Sequence, residues 1–336
     1  MTASDDDETA PDAAGAAADP LAATLAAVRT ETTPEAAERT ELHSVVADLI
    51  ERAGAAVESL PSPADEADVL HVGSTARGTW LPGDRDVDLF VRFPTALDRE
   101  ELEEYGLRVG HETLPDSREA FAEHPYVVGS YDGFDVDLVP CFDVASATEI
   151  RSAVDRTPFH TAYLDERLDG DLAADVRVFK QFLTAIGAYG SDLRTRGFSG
   201  YLAELLVVVY GGVEPLLRAA GEEWHPPVRF DPEEHGTETF DDPLVVIDPT
   251  DPERNVAAVC APANVARLQH HARQLLDDPD TERFRRRERE PLDADAVAEH
   301  VTRRGTDPVA VVVDVPPLVD DQLYPQLRRS LAGIER

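Results

Sequence analysis

Lysine is almost missing from this sequence: Lys180 is the only one among 31 Lys and Arg residues, against 67 Asp and Glu. Cysteine is nearly missing as well, with only Cys141 and Cys260 in 336 residues. Two distant cysteines in no metal-ligand spacing exclude a disulfide framework and a cysteine-based zinc site, and are read as buried free thiols of a cytosolic protein. Long hydrophobic runs are lacking too. The longest, at residues 205–210 and 309–313, fall far short of the roughly 20 residues a membrane helix needs, and no charged-then-apolar leader opens the chain. No membrane association and a cytoplasmic location are therefore expected.

What is present in excess is acid. A formal net charge of −36 at first argues against a polyanionic partner, since phosphate is drawn to cations. Arginine in place of lysine, beside abundant carboxylates, instead reads as a halophilic surface. In molar salt the Debye length falls to roughly 3 Å, so surface repulsion is screened and net charge says little about the ligand. An acidic disordered chain is excluded, because apolar periodic segments run from about residue 35 to 330 and 42% of the residues are hydrophobic. That supply is enough for two or three packed domains.

Residues 1–30, rich in Ala, Asp and Thr, read as a disordered acidic tail. A helix is expected from Thr33-Pro34, with Leu42, Val45, Val46, Leu49 and Ile50 on one face. Short strands follow at residues 69–72, 87–93, 126–131 and 134–142, with a polar helix at 99–105. Together residues 31–155 make a catalytic-sized α+β unit. Residues 156–255 are mainly helical, at 173–186 and 198–210. The remainder, 256–336, carries a helix at 262–276, a strand at 309–315 and a polar helix start at 320–331, and reads as an incomplete α/β segment.

The chemistry concentrates in His71-Val-Gly-Ser-Thr-Ala-Arg-Gly-Thr-Trp80, followed by Asp84-Arg-Asp-Val-Asp-Leu-Phe-Val-Arg-Phe93. A strand that ends in Gly73-Ser74 and turns into a helix offers backbone N–H groups and a hydroxyl to a phosphate. On the next strand side chains alternate, so Asp86 and Asp88 project from one side while Val87 and Leu89 enter the core. Asp135-Val-Asp137 repeats the device, and alternation alone does not choose between its two carboxylates. Clustered carboxylates without His or Cys ligands suit a hard cation such as magnesium, a pair of which serves nucleotidyl transfer.

These residues resemble the DNA polymerase beta nucleotidyltransferase superfamily. The fuller text, with Arg156-Thr-Pro-Phe-His160, Lys180, Tyr189-Gly190, Arg196-Gly-Phe-Ser-Gly-Tyr-Leu202 and Asp248-Pro-Thr-Asp-Pro-Glu-Arg-Asn-Val256, resembles the archaeal (class I) CCA-adding enzymes over residues 35–330. The resemblance implies an α+β, polymerase-beta-like head domain followed by a helical domain that binds nucleotide and tRNA. It implies Asp86, Asp88 and Asp137 as catalytic ligands of two Mg²⁺ ions. Ser74 and Arg77 would bind the incoming CTP or ATP, His160, Lys180 and Tyr189 its triphosphate or sugar, and Arg254 its base. It further implies template-independent addition of C, C and A to tRNA, gripped at its 3′ end and acceptor stem, with a homodimer as one compatible assembly. The family continues beyond the point that resembles residues 320–329, so its C-terminal part is expected to be missing. The Arg283 to Arg289 cluster is expected to touch tRNA phosphate. Competing readings are a poly(A) polymerase, a small-molecule nucleotidyltransferase and a tRNA-binding module without chemistry.

Overall fold

A computed structural model describes residues 19–286, 291–307, 309 and 311–334. Its first helix, α1 (Pro20–Glu31), lies within the segment expected to be a disordered tail. Asp19 caps it by accepting from the Leu21 N–H, and Leu21, Leu25 and Val28 are buried. Apolar side chains spaced four and three apart give even an Ala-rich stretch a face to bury, which corrects the expectation for residues 19–30. Residues 1–18 lie outside the described residues. The next helix, α2 (Ala36–Glu58), starts just past the expected Thr33-Pro34 and has no side-chain cap. Leu42, Val45, Val46 and Leu49 are buried along it, whereas Ile50 sits at the edge of the face, 36% exposed.

The head domain is a five-stranded sheet built from β1 (Asp68–Val72), β2 (Asp86–Phe93), β3 (Ser117–Phe121), β4 (Pro125–Tyr131) and β5 (Phe134–Phe142). Their order is β1-β2-β5-β4-β3, with β2 and β5 parallel and every other neighbour antiparallel. Strand β3 was not expected, because Ser117-Arg-Glu-Ala-Phe121 is a polar edge strand without alternation. One face of the sheet packs under α2 and α4 (Arg99–Thr113) through Val87, Leu89, Val91, Phe93, Val136 and Leu138. The opposite face changes character along its length: Asp86, Asp88, Asp135 and Asp137 occupy one end, while Phe90, Val139 and Cys141 form a small apolar cluster at the other.

The helical domain contains α5 (Thr157–Asp165), α6 (Gly170–Ala185), α7 (Gly200–Tyr210), α8 (Val213–Arg218) and α9 (Pro262–Asp277). A small sheet of β6 (Val228–Phe230), β7 (Leu244–Asp248) and β8 (Asp251–Asn255) lies between α8 and α9 in sequence. Its core takes in Leu21, Leu25 and Val28 of α1, and Val265, Leu268, Leu275 and Phe284 from beyond residue 255. The expected boundary at 255/256 therefore gives way: α9 has a buried face of its own and completes this domain. Farther on, α10 (Ala294–Arg304) and α11 (Asp320–Ile334) bury no residue. The expected strand at 309–315 is absent among its described residues, whose valines at 309, 311, 312, 313 and 315 are exposed and have no neighbouring strand to pair with. Among the described residues no single helix is long and apolar enough to cross a membrane. Cys141 and Cys260 are free and buried.

Close approach of α4 to the sheet depends on Gly110, where an added Cβ would stand 2.3 Å from Val127 Cγ2. Val127 is fully buried and has nowhere to move. Gly110→Ala should therefore lower unfolding free energy by about 1–3 kcal/mol through overpacking, despite Ala's helix-propensity gain of roughly 1 kcal/mol. Urea unfolding at constant molar salt measures this; unchanged or raised stability would contradict the packing.

Candidate active site

Parallel pairing of β2 with β5 sets Asp88 directly opposite Asp137 and Asp86 opposite Asp135. Residues paired in register on neighbouring strands point to the same side, so all four carboxylates share one face. Asp135 is exposed and accepts from the Ser130 hydroxyl at 3.1 Å, whereas Asp137 is half-buried beside Asp88. Burial, and then the charges of Asp137 and Asp86, push the Asp88 carboxyl up to about 6. Burial followed by Asp86 raises Asp137 as well.

Strand β1 runs antiparallel to β2 and ends with Val72 opposite Asp88. The chain then turns through Gly73 at φ +80 into the short helix α3 (Gly73–Ala76). A Cβ on Gly73 would lie 2.1 Å from Asp88 Oδ2, so only glycine leaves room for that carboxylate. Ser74 is half-buried on the same turn, its carbonyl accepting from the Thr79 N–H at 3.0 Å. A groove of about 740 Å³ opens over this face, lined by Arg118, Tyr126, Ser130, Asp135 and Asp137 among others.

Among the described residues no three such side chains close into a ready metal cage. An open cluster is what a magnesium site shared with substrate requires, because that ion keeps water and phosphate oxygens in its shell and takes only one or two carboxylates from the protein. Carboxylates that raise one another's affinity for protons are short of positive charge, and oxygen is the donor a hard cation prefers. The residues fit the ion.

Arg77 and Lys180 meet on one acid that lies outside the motifs of the sequence. Glu204, on α7 and fully buried, accepts from Arg77 Nε at 3.0 Å and Nη2 at 2.8 Å, from Lys180 Nζ at 3.0 Å, and from the Thr79 hydroxyl. Lys180 also donates to the Thr79 carbonyl at 3.1 Å and hydroxyl at 3.2 Å, so all three of its protons are engaged and 2% of it is exposed. Burial pulls the lysine below its ordinary value, with Glu204 opposing. Burial by itself would raise Glu204, but Lys180, Arg77 and Thr79 outweigh it and hold the carboxyl below the usual range. A compact ammonium suits three converging acceptors, whereas a five-proton guanidinium would leave donors stranded; this is a physical reason for the single lysine. Tyr189 lies alongside, its hydroxyl pushed up by burial and then by Glu204, Asp84 and Asp86.

His160 and Arg254 form a second group. Both reach Asp248 Oδ2, at 2.8 Å and 2.6 Å, and His160 stacks on Tyr201 at 3.9 Å between ring centroids. Asp248 is fully buried; burial would raise it, but His160, Thr250 and Arg254 hold it far below the carboxylate range. Burial lowers His160 and leaves it neutral near pH 7. Arg254 thus pairs with Asp248 rather than with Asp251 or Glu253, and with Arg156 it lines a pocket of about 500 Å³. In the basic cluster, Arg283 pairs with Asp278, Arg285 with Glu282 and Glu31, and residues 287–289 lie outside the described residues.

Three family models match: nucleotidyltransferase domain over residues 54–160, tRNA nucleotidyltransferase second domain over 174–285, and CCA-adding enzyme C-terminal domain over 304–336. The CCA-adding enzyme of Halorubrum lacusprofundi is 61% identical over 318 residues, 95% of this chain and 68% of that protein. That of Halobacterium salinarum is 61% identical over 94% of this chain and 69% of its own length. The CCA-adding enzyme of Methanoregula boonei is 45% identical over 90% of this chain and 64% of its own. Among solved structures, a cytoplasmic RNA terminal U-transferase superposes with TM-score 0.59 at 15% identity, covering 81% of this chain and all of that one (100%). The E. coli MS115-1 CdnC bound to ATP gives 0.57 at 18%, covering 78% of this chain and 94% of that one. These two likenesses are of fold.

Glu204→Gln would leave Arg77 and Lys180 facing one another without an anion and should cost about 3–5 kcal/mol of stability. Lys180→Met should cost less, since Glu204 keeps Arg77 and Thr79. Urea unfolding of both variants at fixed molar salt compares them; equal or reversed costs would contradict the central place of Glu204.

Proposed function

The chain belongs to the CCA-adding enzyme family, and from that premise we propose that it adds C, C and A to the 3′ end of tRNA, with CTP and ATP as donors and pyrophosphate released. The observation that carries the site assignment is the registration of Asp88 with Asp137 across β2 and β5, beside a turn that only Gly73 can make. Asp86, Asp88 and Asp137 are the side chains that would hold magnesium, taken as two ions. The bound metal supplies Lewis acidity toward the attacking hydroxyl and the phosphoryl oxygens.

The protein's own part is to position and to balance charge. Ser74 and the backbone of the turn after β1 face the triphosphate of the incoming nucleotide. Arg77 and Lys180 carry two positive charges against the single charge of Glu204, leaving a surplus that favours phosphate on their side of the cleft. Tyr189, neutral beside Asp84 and Asp86, would donate to the sugar or a phosphate oxygen. His160 and Arg254, fixed by Asp248, form the wall assigned to nucleotide recognition, where Arg254 retains enough exposure to meet a base edge. No protein nucleophile is needed, because holding the 3′-hydroxyl in line with the α-phosphate accounts for the transfer.

Incubated with tRNA ending before CCA, the protein should incorporate C, C and A; a long A tail or a modified small molecule would contradict this reading. Asp137→Asn should reduce incorporation by more than the roughly 100-fold typical of losing an outer partner of a metal ligand, while tRNA affinity changes little. Because burial, Asp137 and Asp86 push the Asp88 carboxyl up to about 6, protons compete with a cation for it at and below that pH. Incorporation should fall as pH drops through about 6, and the falling limb should move to lower pH as magnesium is raised. A limb insensitive to magnesium would separate Asp88 from metal binding.

A further inference from the structure

Arg39, Arg77 and Arg177 line a pocket of about 300 Å³ whose walls come from the turn between α1 and α2, from Gly78 and Trp80, and from the start of α6. None of the catalytic carboxylates lines it. Arg177 is 9% exposed; one nitrogen donates to the Gly78 carbonyl at 2.5 Å, and its buried Nε has no hydrogen-bond partner among the described residues. That Nε loses its hydration without recovering it from the described residues. Burial, then the neighbouring charge of Arg39, lowers its affinity for its proton, and no acid opposes them. Asp169 is the acid on the pocket wall, and its carboxylate caps α6 by accepting from the Asp171 and Leu172 N–H groups. Arg39 is exposed at the mouth and donates to the Pro34 carbonyl. In a chain with 67 acidic and 31 basic residues, two neighbouring arginines of which neither forms a salt bridge among the described residues run against composition.

We propose that Arg39 and Arg177 form a phosphate-binding subsite, adjoining the catalytic cleft with Arg77 between the two, which takes an RNA backbone phosphate or a free polyphosphate. The chemistry is a planar fork meeting phosphate oxygens in a recess that has already excluded water from one side. Its position, where α2, the Gly78–Trp80 turn and α6 converge, lets one phosphate touch both domains. The RNA source rests on the tRNA reading above; the anion site itself does not.

The test uses the full chain without nucleotide or added metal, comparing wild type with Arg39→Gln and Arg177→Gln. Affinity is measured across a salt series for two probes, tRNA ending before CCA and inorganic pyrophosphate. Each substitution is expected to weaken binding about threefold to tenfold and, for tRNA, to reduce the salt slope by about one. Loss for tRNA alone identifies the RNA backbone as the source, and loss for pyrophosphate alone identifies free polyphosphate. Unchanged affinity for both probes overturns the subsite. Thermal melting accompanies each variant, and if Arg177→Gln does not fold, the exposed Arg39 decides the outcome. Wild-type protein that binds no tRNA would strike at the CCA-adding reading instead, while the pyrophosphate comparison would still judge the pocket.

Discussion

Glu204 is the interaction on which the rest of the site depends. Its carboxylate takes Arg77 and Thr79 from the head domain and Lys180 from α6, so the turn that follows α3 is fastened to the helical domain by one buried acid. Burying a carboxylate among apolar neighbours is costly unless its lone pairs are filled, and here they are. The consequence reaches the carboxylates, because Arg77 lies close enough to Asp88 to pull its proton affinity down against burial and its acidic neighbours. The guanidinium that Glu204 holds between the domains is therefore also one of the charges acting on Asp88.

The sheet contributes a gradient. One face is apolar along its whole length under α2 and α4, and the other passes from four aspartates at the start of β2 and β5 to Phe90, Val139 and Cys141 at their ends. The acidic end borders the groove over β4 and β5, and the apolar end is packed away. A hydrophobic support thus holds the carboxylates rigidly from behind while leaving their oxygens available to solvent and substrate.

Much of this was legible in the sequence, for reasons that can be traced to particular residues. Strand alternation put Asp86 and Asp88 on one side, and the Gly73-Ser74 turn marked where the strand would end. Alternation could not separate Asp135 from Asp137, since both face the same way; register with Asp88 and the hydroxyl of Ser130 distinguish them. Lys180 drew attention as the only lysine, but its place among Thr79 and Glu204 depended on a contact between helices that no local pattern reveals. Glu204 did leave a sign: it is a lone acid within the apolar run Leu202-Ala-Glu-Leu-Leu-Val-Val-Val209, where an uncompensated charge would be expensive. The helix at residues 20–31 is not legible because its three buried apolar side chains are spread through an alanine-rich segment and find their partners only on α6 and its neighbours.

That first helix has a mechanical consequence. The chain begins its described course in the helical domain with α1, crosses at residues 32–35 to build the whole head, and returns through residues 152–157 to α5. The head is thus an excursion out of the other domain rather than a bead ahead of it on a string. A body held by two crossings of backbone cannot swivel about either one without straining the other. Glu204, bonded to Arg77 of the head and to Lys180 of α6, fastens it at a third point.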